Sequence, residues 1–196
     1  LMSPRTRTAS DDEIIDAAIR AIGRTGPARL TLAAVAEEVG LAPATLLQRF
    51  GSKRGLLLAV SRRGVDDNAA AFAAARAANP SPLGTLMDVL LATARWFDSP
   101  QALANHLAFL QMDLTDPEFL RLAAAASGAI RDGIRALLND AVVAGELAPC
   151  DTARLASALD ATHGGSMLAW AMHRDGTLAD WVRRDLEMVL GPYVRA

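Results

Sequence analysis

Residues 31–53 read TLAAVAEEVGLAPATLLQRFGSK. Leu32, Val35, Ala36 and Val39 follow the i, i+3, i+4, i+7 spacing that stripes one face of a helix, and Thr31 stands where an N-cap belongs. Gly40 can take the positive φ that ends a helix, and Ala42-Pro43 restarts one with proline in the first turn. Two short helices joined by a tight turn result. In the second, Leu46 and Phe50 stand four apart and turn inward with Leu41. Pro43, Ala44, Thr45, Leu47, Gln48 and Arg49 are left facing out, a small, polar and cationic face that suits a major groove.

Upstream, Ser10-Asp11-Asp12-Glu13 has the form of a capping box with extra carboxylates at the positive end of the helix dipole. The helix it opens carries Ile15, Ala18, Ile19 and Ile22 on one face and runs out between Gly23 and Pro27. Residues 1–9 show no periodicity. They read either as a disordered tail or as an arm whose Arg5 and Arg7 reach phosphates or the minor groove.

Downstream, Gly51-Ser52 is a break with a serine cap, and Lys53 falls in the first turn of the next helix. A cation there opposes the helix dipole, so helix stability does not explain it, whereas a bound phosphate would. That helix is predicted to run from 52 to 78, where Asn79-Pro80-Ser81-Pro82 breaks the chain. The spacing beyond predicts a helix through Leu83, Leu86 and Leu90 to Trp96-Phe97, a shorter one over 101–112, a long one to Gly145, and two more over 151–173 and 178–194. With aromatics at only 5% and alanine and aliphatic residues dominant, the fold class is all-α.

Charge is unevenly distributed. Residues 1–63 hold ten Lys and Arg against six Asp and Glu, and residues 64–196 hold ten against sixteen. A basic head on an acidic body is the pattern of a nucleic-acid-binding head. Cys150 is the single cysteine, which excludes an intrachain disulfide and fits a reducing compartment. It carries no neighbouring base or second cysteine that would make it a redox sensor. No apolar run is long enough to span a bilayer, so a cytoplasmic protein with no membrane partner is expected.

The run from Gly40 to Lys53, preceded by Val35-Ala36 and followed by Leu56-Leu57, resembles the helix-turn-helix of the TetR family of transcriptional regulators. Two positions depart from the family pattern: Leu47 stands where a phosphate-binding tyrosine is usual, and Arg49 where histidine or tyrosine is usual. The resemblance implies a three-helix DNA-binding domain in 1–51, a connecting helix over 52–78, and a helical ligand-binding and dimerisation bundle in 79–196. It also implies a double-stranded DNA operator contacted through Thr31, Pro43, Ala44, Thr45, Leu47, Gln48, Arg49 and Lys53. A homodimer formed by the last two helices follows from it too, through Leu155, Leu159, Trp181, Val182, Leu186, Val189 and Leu190. Gln48 can pair with adenine and Arg49 with guanine, and either can equally hold a phosphate.

A ligand pocket between helices is expected from Trp96, Phe97, Leu103, His106, Leu107, Phe109, Leu110, Met112 and Phe119, joined by His163, Met167 and Trp170. His106 and His163 are its candidate polar anchors. The same residues read equally as core. His106, Asp113, His163 and His173 lack the tight spacing of a metal site, and no cofactor is implied. The leading reading is a dimeric repressor of a palindromic operator, released by an unknown small apolar or aromatic effector. The alternatives are a DNA-binding regulator that answers to a protein partner or to nothing, and a helical enzyme. For the enzyme no phosphate loop, G-x-S-x-G or HExxH motif speaks.

Overall fold

A computed structural model of the chain describes residues 9–78, 80–92, 94, 97 and 99–195. These are all-α, with α1 Asp11–Thr25, α2 Leu32–Val39, α3 Pro43–Phe50, α4 Lys53–Ala78, α5 Pro82–Ala92, α6 Pro100–Thr115, α7 Pro117–Val143, α8 Thr152–His173 and α9 Leu178–Leu190. Trp96, Arg5 and Arg7 lie outside the described residues.

Two compact units divide the chain: Leu1–Gly64 with Ala104–Leu122, and Val65–Leu103 with Ala123–Ala196. In the first, the capping box opens α1 as the sequence predicts, with Ser10 Oγ accepting from Glu13 N and Glu13 Oε2 accepting from Ser10 N. Gly26 closes α1 at φ +78°. Thr31 caps α2 by accepting from Ala34 N at 3.1 Å, and Gly40 ends it in the left-handed region at φ 70°. The core of this unit packs Ile14, Ala18 and Ile22 of α1, Val35 and Ala36 of α2, Leu46 of α3 and Leu56 and Leu57 of α4. Phe119 of α7 is buried in the same cluster, with Phe109 and Met112 of α6 packed against it. Gly55 permits the close approach of α3 to α4, because a Cβ there would meet the Phe50 carbonyl oxygen.

In the second unit α8 and α9 pack along each other and α5 packs on α9. Ile134, Leu137 and Leu138 of α7, Leu86 and Leu90 of α5, Leu159 of α8 and Val182 and Leu186 of α9 are fully or almost fully buried. Ser166, buried on α8, places its hydroxyl 2.7 Å from Asp185 Oδ2 and 2.8 Å from the Thr162 carbonyl. That hydrogen bond, with Arg184 beside it, holds the Asp185 carboxyl below its usual range.

Two helix ends differ from the spacing-based expectation. α5 runs over Pro82–Ala92, its expected end at Trp96-Phe97 lies partly outside the described residues, and Ser99 caps α6 by accepting from Ala102 N. α6 extends to Thr115, whose hydroxyl donates back to the Gln111 carbonyl. α9 ends at Leu190 instead of Val194. Pro192 has no N–H to continue it, a single 3-10 turn follows over Gly191–Tyr193, and Val194 makes a bridge with Leu147.

The long helix α7 contains a natural pair of tests. A Cβ on Gly133 would lie 2.4 Å from Phe72 Cγ, whereas a Cβ on Gly128 would meet nothing within 4 Å. Gly133→Ala is therefore expected to destabilise the protein by about 1–3 kcal/mol through overpacking. Gly128→Ala should stabilise it by up to about 1 kcal/mol through helix propensity. Urea midpoints of the two variants check this, and equal midpoints would contradict it.

Candidate nucleic-acid interface and ligand cleft

The outward side of α3 is built as its periodicity requires. Leu46 is fully buried, and Pro43, Ala44, Leu47 and Gln48 are exposed, with Thr45 partly so. Leu47 is 54% exposed, so the residue in the usual tyrosine position is a surface side chain and not a core one. Pro43 serves at the first turn of α3, Ala42 makes no side-chain cap, and no acidic residue lies in that first turn.

Arg49 behaves differently from its neighbours. Its Nη1 donates to the Ala9 carbonyl at 2.6 Å and to Asp11 Oδ1 at 3.2 Å, so this guanidinium is engaged by the start of α1. Ala9 itself is buried. Spacing along α3 put Arg49 on the outer face, and it carried no information about a partner forty residues upstream.

Most of the other basic side chains of the head are also matched by carboxylates. Arg20 and Arg24 share Glu38, Arg54 holds Asp116 and Glu118, Arg62 reaches Glu118, and Arg63 pairs with Asp12. The Arg54 hydrogen bonds keep the Asp116 carboxyl below its ordinary value. Lys53 is an exception, since its Nζ donates to a backbone oxygen, that of Ala28, at 2.7 Å. It stands beside Ser52, which caps α4 by accepting from Gly55 N. The sequence reading missed Arg29, which sits exposed in the turn next to Ala28. A loop arginine has no periodicity to single it out.

The predicted pocket residues do not form one group. Phe109, Met112 and Phe119 belong to the core of the first unit, where the two phenylalanine rings meet edge to face at 6.0 Å. Leu103 is buried, Leu107 half-buried, and His106 and Leu110 lie on exposed parts of α6. In the second unit, Phe97 and Trp170 line an open cleft of about 690 Å³ together with Asp88, Leu91, Ala94, Thr177, Leu178 and Arg183. The Trp170 indole donates to the Gly176 carbonyl at 3.3 Å, which fixes the ring at the cleft wall. His163 Nε2 lies 3.1 Å from the Leu90 carbonyl, and burial pushes the imidazole below its ordinary value. Met167 is half-buried on the same helix. Among the described residues no group of three His, Cys, Asp or Glu could hold a metal ion, and no helix is long and apolar enough to cross a membrane.

The residues expected at a dimer interface are mostly consumed within the single chain. Leu155, Leu159, Val182, Leu186 and Leu190 are buried in the second unit, and Val189 is half-buried. Trp181 is half-buried with its indole donating to the Asp175 carbonyl at 2.7 Å, stacked on His173 at 5.5 Å and covered by Arg184 at 4.4 Å.

Residues 14–60, which span α1 to the first turns of α4, match the family described as bacterial regulatory proteins, tetR family. The HTH-type transcriptional regulator BetI of Agrobacterium fabrum is 32% identical over 141 residues, covering 70% of this chain and 66% of that protein. The aligned part thus spans just under two thirds of that relative's length. Among solved structures, a TetR transcription regulator from Haloarcula marismortui superposes with a TM-score of 0.78 at 19% identity, covering 94% of this chain and 98% of its own. A transcriptional regulator from Saccharomonospora viridis in complex with choline does so with a TM-score of 0.78 at 19% identity, covering 95% and 98%.

One group in the first unit makes stability depend on pH. Asp113 on α6 buries Oδ1 without a hydrogen-bond partner, and burial pushes its carboxyl up to about 6. The folded state therefore holds this proton more tightly than the unfolded chain, so the group's contribution is present at low pH and lost as pH rises through about 6. Asp113→Asn is expected to raise the thermal midpoint at pH 7.5, with its advantage over the wild type shrinking as pH falls towards 4. Calorimetric scans across that range check it, and an advantage independent of pH would contradict it.

Proposed function

Because this chain belongs to the TetR family of regulators, we propose that it is a DNA-binding transcriptional repressor that works as a dimer and is released by a small apolar or aromatic effector. The observation that carries this reading is the coincidence of the family match over residues 14–60 with a helix-turn-helix whose second helix leaves Pro43, Ala44, Leu47 and Gln48 exposed. Such a helix reads base edges from the major groove, while residues around it hold phosphates. Thr45 and Gln48 take the base-reading positions in this proposal. Pro43 and Ala44 allow close approach, Leu47 offers an apolar contact, and Thr31 and Lys53 lie on the backbone side. Arg49 is given the task of holding Ala9 and Asp11.

The division of labour follows the chain: residues 1–51 bind DNA, 52–78 connect, and 79–196 bind the effector and the second copy. The cleft beside Trp170 and Phe97 is the proposed effector site, a mixed surface on which Leu91, Phe97, Trp170 and Leu178 supply apolar contact and Asp88, Thr177 and Arg183 supply orientation. The choline held by the Saccharomonospora viridis protein makes quaternary ammonium compounds a sensible part of a ligand screen, since aromatic faces also attract such cations. Effector binding shifts the head only through its differential affinity for two states of the protein.

For the dimer, the residues available are those that the single chain leaves uncovered. Ala161, Gly164, Gly165, Leu168 and Met172 recur at helical spacing along α8 and are all exposed, and Met188 of α9 is 72% exposed. Small residues at the centre of such a stripe let two helices approach closely, and the flanking leucine and methionines supply the apolar area. Leu168→Arg is expected to yield a monomer in sedimentation equilibrium without loss of helicity. An unchanged dimer would remove this face from the proposal.

The experiment that tests the function is selection of bound sequences from random duplex DNA with the purified protein. An enriched inverted repeat is the expected result. Gln48→Ala should then change which bases are enriched, typically by about 1–3 kcal/mol of discrimination at the affected position. Failure to enrich any sequence would overturn the reading.

A further inference from the structure

The ten basic residues among 1–63 do not all offer charge to a partner. Among the described residues of the head, Arg20, Arg24, Arg49, Arg54, Arg62 and Arg63 each have a carboxylate within ion-pairing distance. Arg20 and Arg24 share the single carboxylate of Glu38, which leaves one positive charge over at that pair, whereas Arg29 and Lys53 are the described basic residues of the head with no carboxylate within ion-pairing distance.

They are also neighbours. The Lys53 ammonium donates to the Ala28 carbonyl at 2.7 Å, one residue from Arg29. An ammonium has three N–H donors, so two remain for an anion with this bond intact. The turn that presents Arg29 is held on every side. Pro27 and Leu30 are buried, Gly26 takes a φ of +78° against the side chain of Asn105, and Asn105 Nδ2 donates to the Gly23 carbonyl at 2.8 Å. Arg29 thus projects from fixed backbone, and binding through it orders one side chain rather than a loop.

The surrounding helix starts agree. α1 carries Asp11, Asp12 and Glu13 in its first turn, whereas α2, α3 and α4 carry no acidic residue there. The N-terminal dipoles of these three helices are left without an internal counter-charge.

We propose that Arg29 and Lys53 form a two-cation clamp on adjacent phosphates of a duplex, with Arg29 a phosphate-binding residue in its own right. The inference rests on the DNA-binding function proposed above, and it adds a contact carried by the turn before α2. Each cation releases counterions from one phosphate, so each contributes about 0.9 to the slope of log affinity against log salt concentration. Between 50 and 200 mM salt that corresponds to about 3.5-fold in affinity per contact.

The test is fluorescence-anisotropy titration of a labelled duplex of arbitrary sequence at four salt concentrations with the full chain and its variants. Arg29→Gln and Lys53→Gln are each expected to lower the slope by about 0.9, and the double variant by about 1.8. Arg29→Lys keeps the charge and should keep the slope, which separates phosphate binding from any effect on folding. Arg63→Gln removes a cation that faces both Asp12 and Asp16 and should leave the slope unchanged. A wild-type slope in Arg29→Gln, or an equal loss in Arg63→Gln, would overturn the clamp while leaving the regulator reading intact. A wild-type protein that binds the duplex with no salt dependence would instead overturn the regulator reading, and the clamp with it.

Discussion

The burial of Phe119 among the helices of the head is the interaction on which the first unit depends. A three-helix head of about fifty residues has too much surface for its volume to be secure alone. The start of α7 supplies what is missing. Phe119 is almost fully buried, meets Phe109 edge to face, and lies under the Arg54 guanidinium at 5.4 Å. Burying a phenylalanine side chain stabilises by about 1.5–3 kcal/mol. The ion pairs of Arg54 with Asp116 and Glu118 lie in solvent, where screening leaves them a small share of the stability. The ring therefore holds the element in place, and the ion pairs fix its orientation. The bidentate grip of Arg54 on Asp116 sets where α7 begins, since the same carboxylate accepts from the backbone of Glu118.

The electrostatics of this unit follow from the same packing. Acidic residues at the start of α1 and at the corner between α6 and α7 meet arginines from α3 and α4, so much of the head's charge is spent on holding its own helices together. Net charge summed over a segment does not say what that segment can offer a polyanion. What reaches outward is set by which side chains escape internal pairing, and that depends on contacts between residues forty to sixty positions apart.

Local features were legible in the sequence because their causes are local. The capping box at Ser10, the glycine stop at Gly40 and the proline start at Pro43 each act within four residues, and the helices begin and end accordingly. Helical periodicity also told which face of α3 is apolar. It could not tell what covers an apolar face. Phe109 and Phe97 look alike as aromatic residues flanking the same break, yet one packs in the core with Phe119 and the other lines the cleft with Trp170. Leu159 and Leu186 fit an intermolecular seam as well as an intramolecular one, and burial assigns them to the latter. The end of α9 was misplaced because Pro192 acts as punctuation stronger than the apolar spacing that runs past it.

The hydrogen bond from Arg49 to the Ala9 carbonyl has a practical consequence for mutagenesis. It ties Ala9, just before the Ser10 cap of α1, to the last turn of α3, and the same guanidinium holds Asp11. An Arg49 variant made to probe α3 therefore loosens the start of α1 as well, and a change in binding measured with it mixes two effects. An Asp11 variant, which removes the ion pair and leaves α3 untouched, separates them.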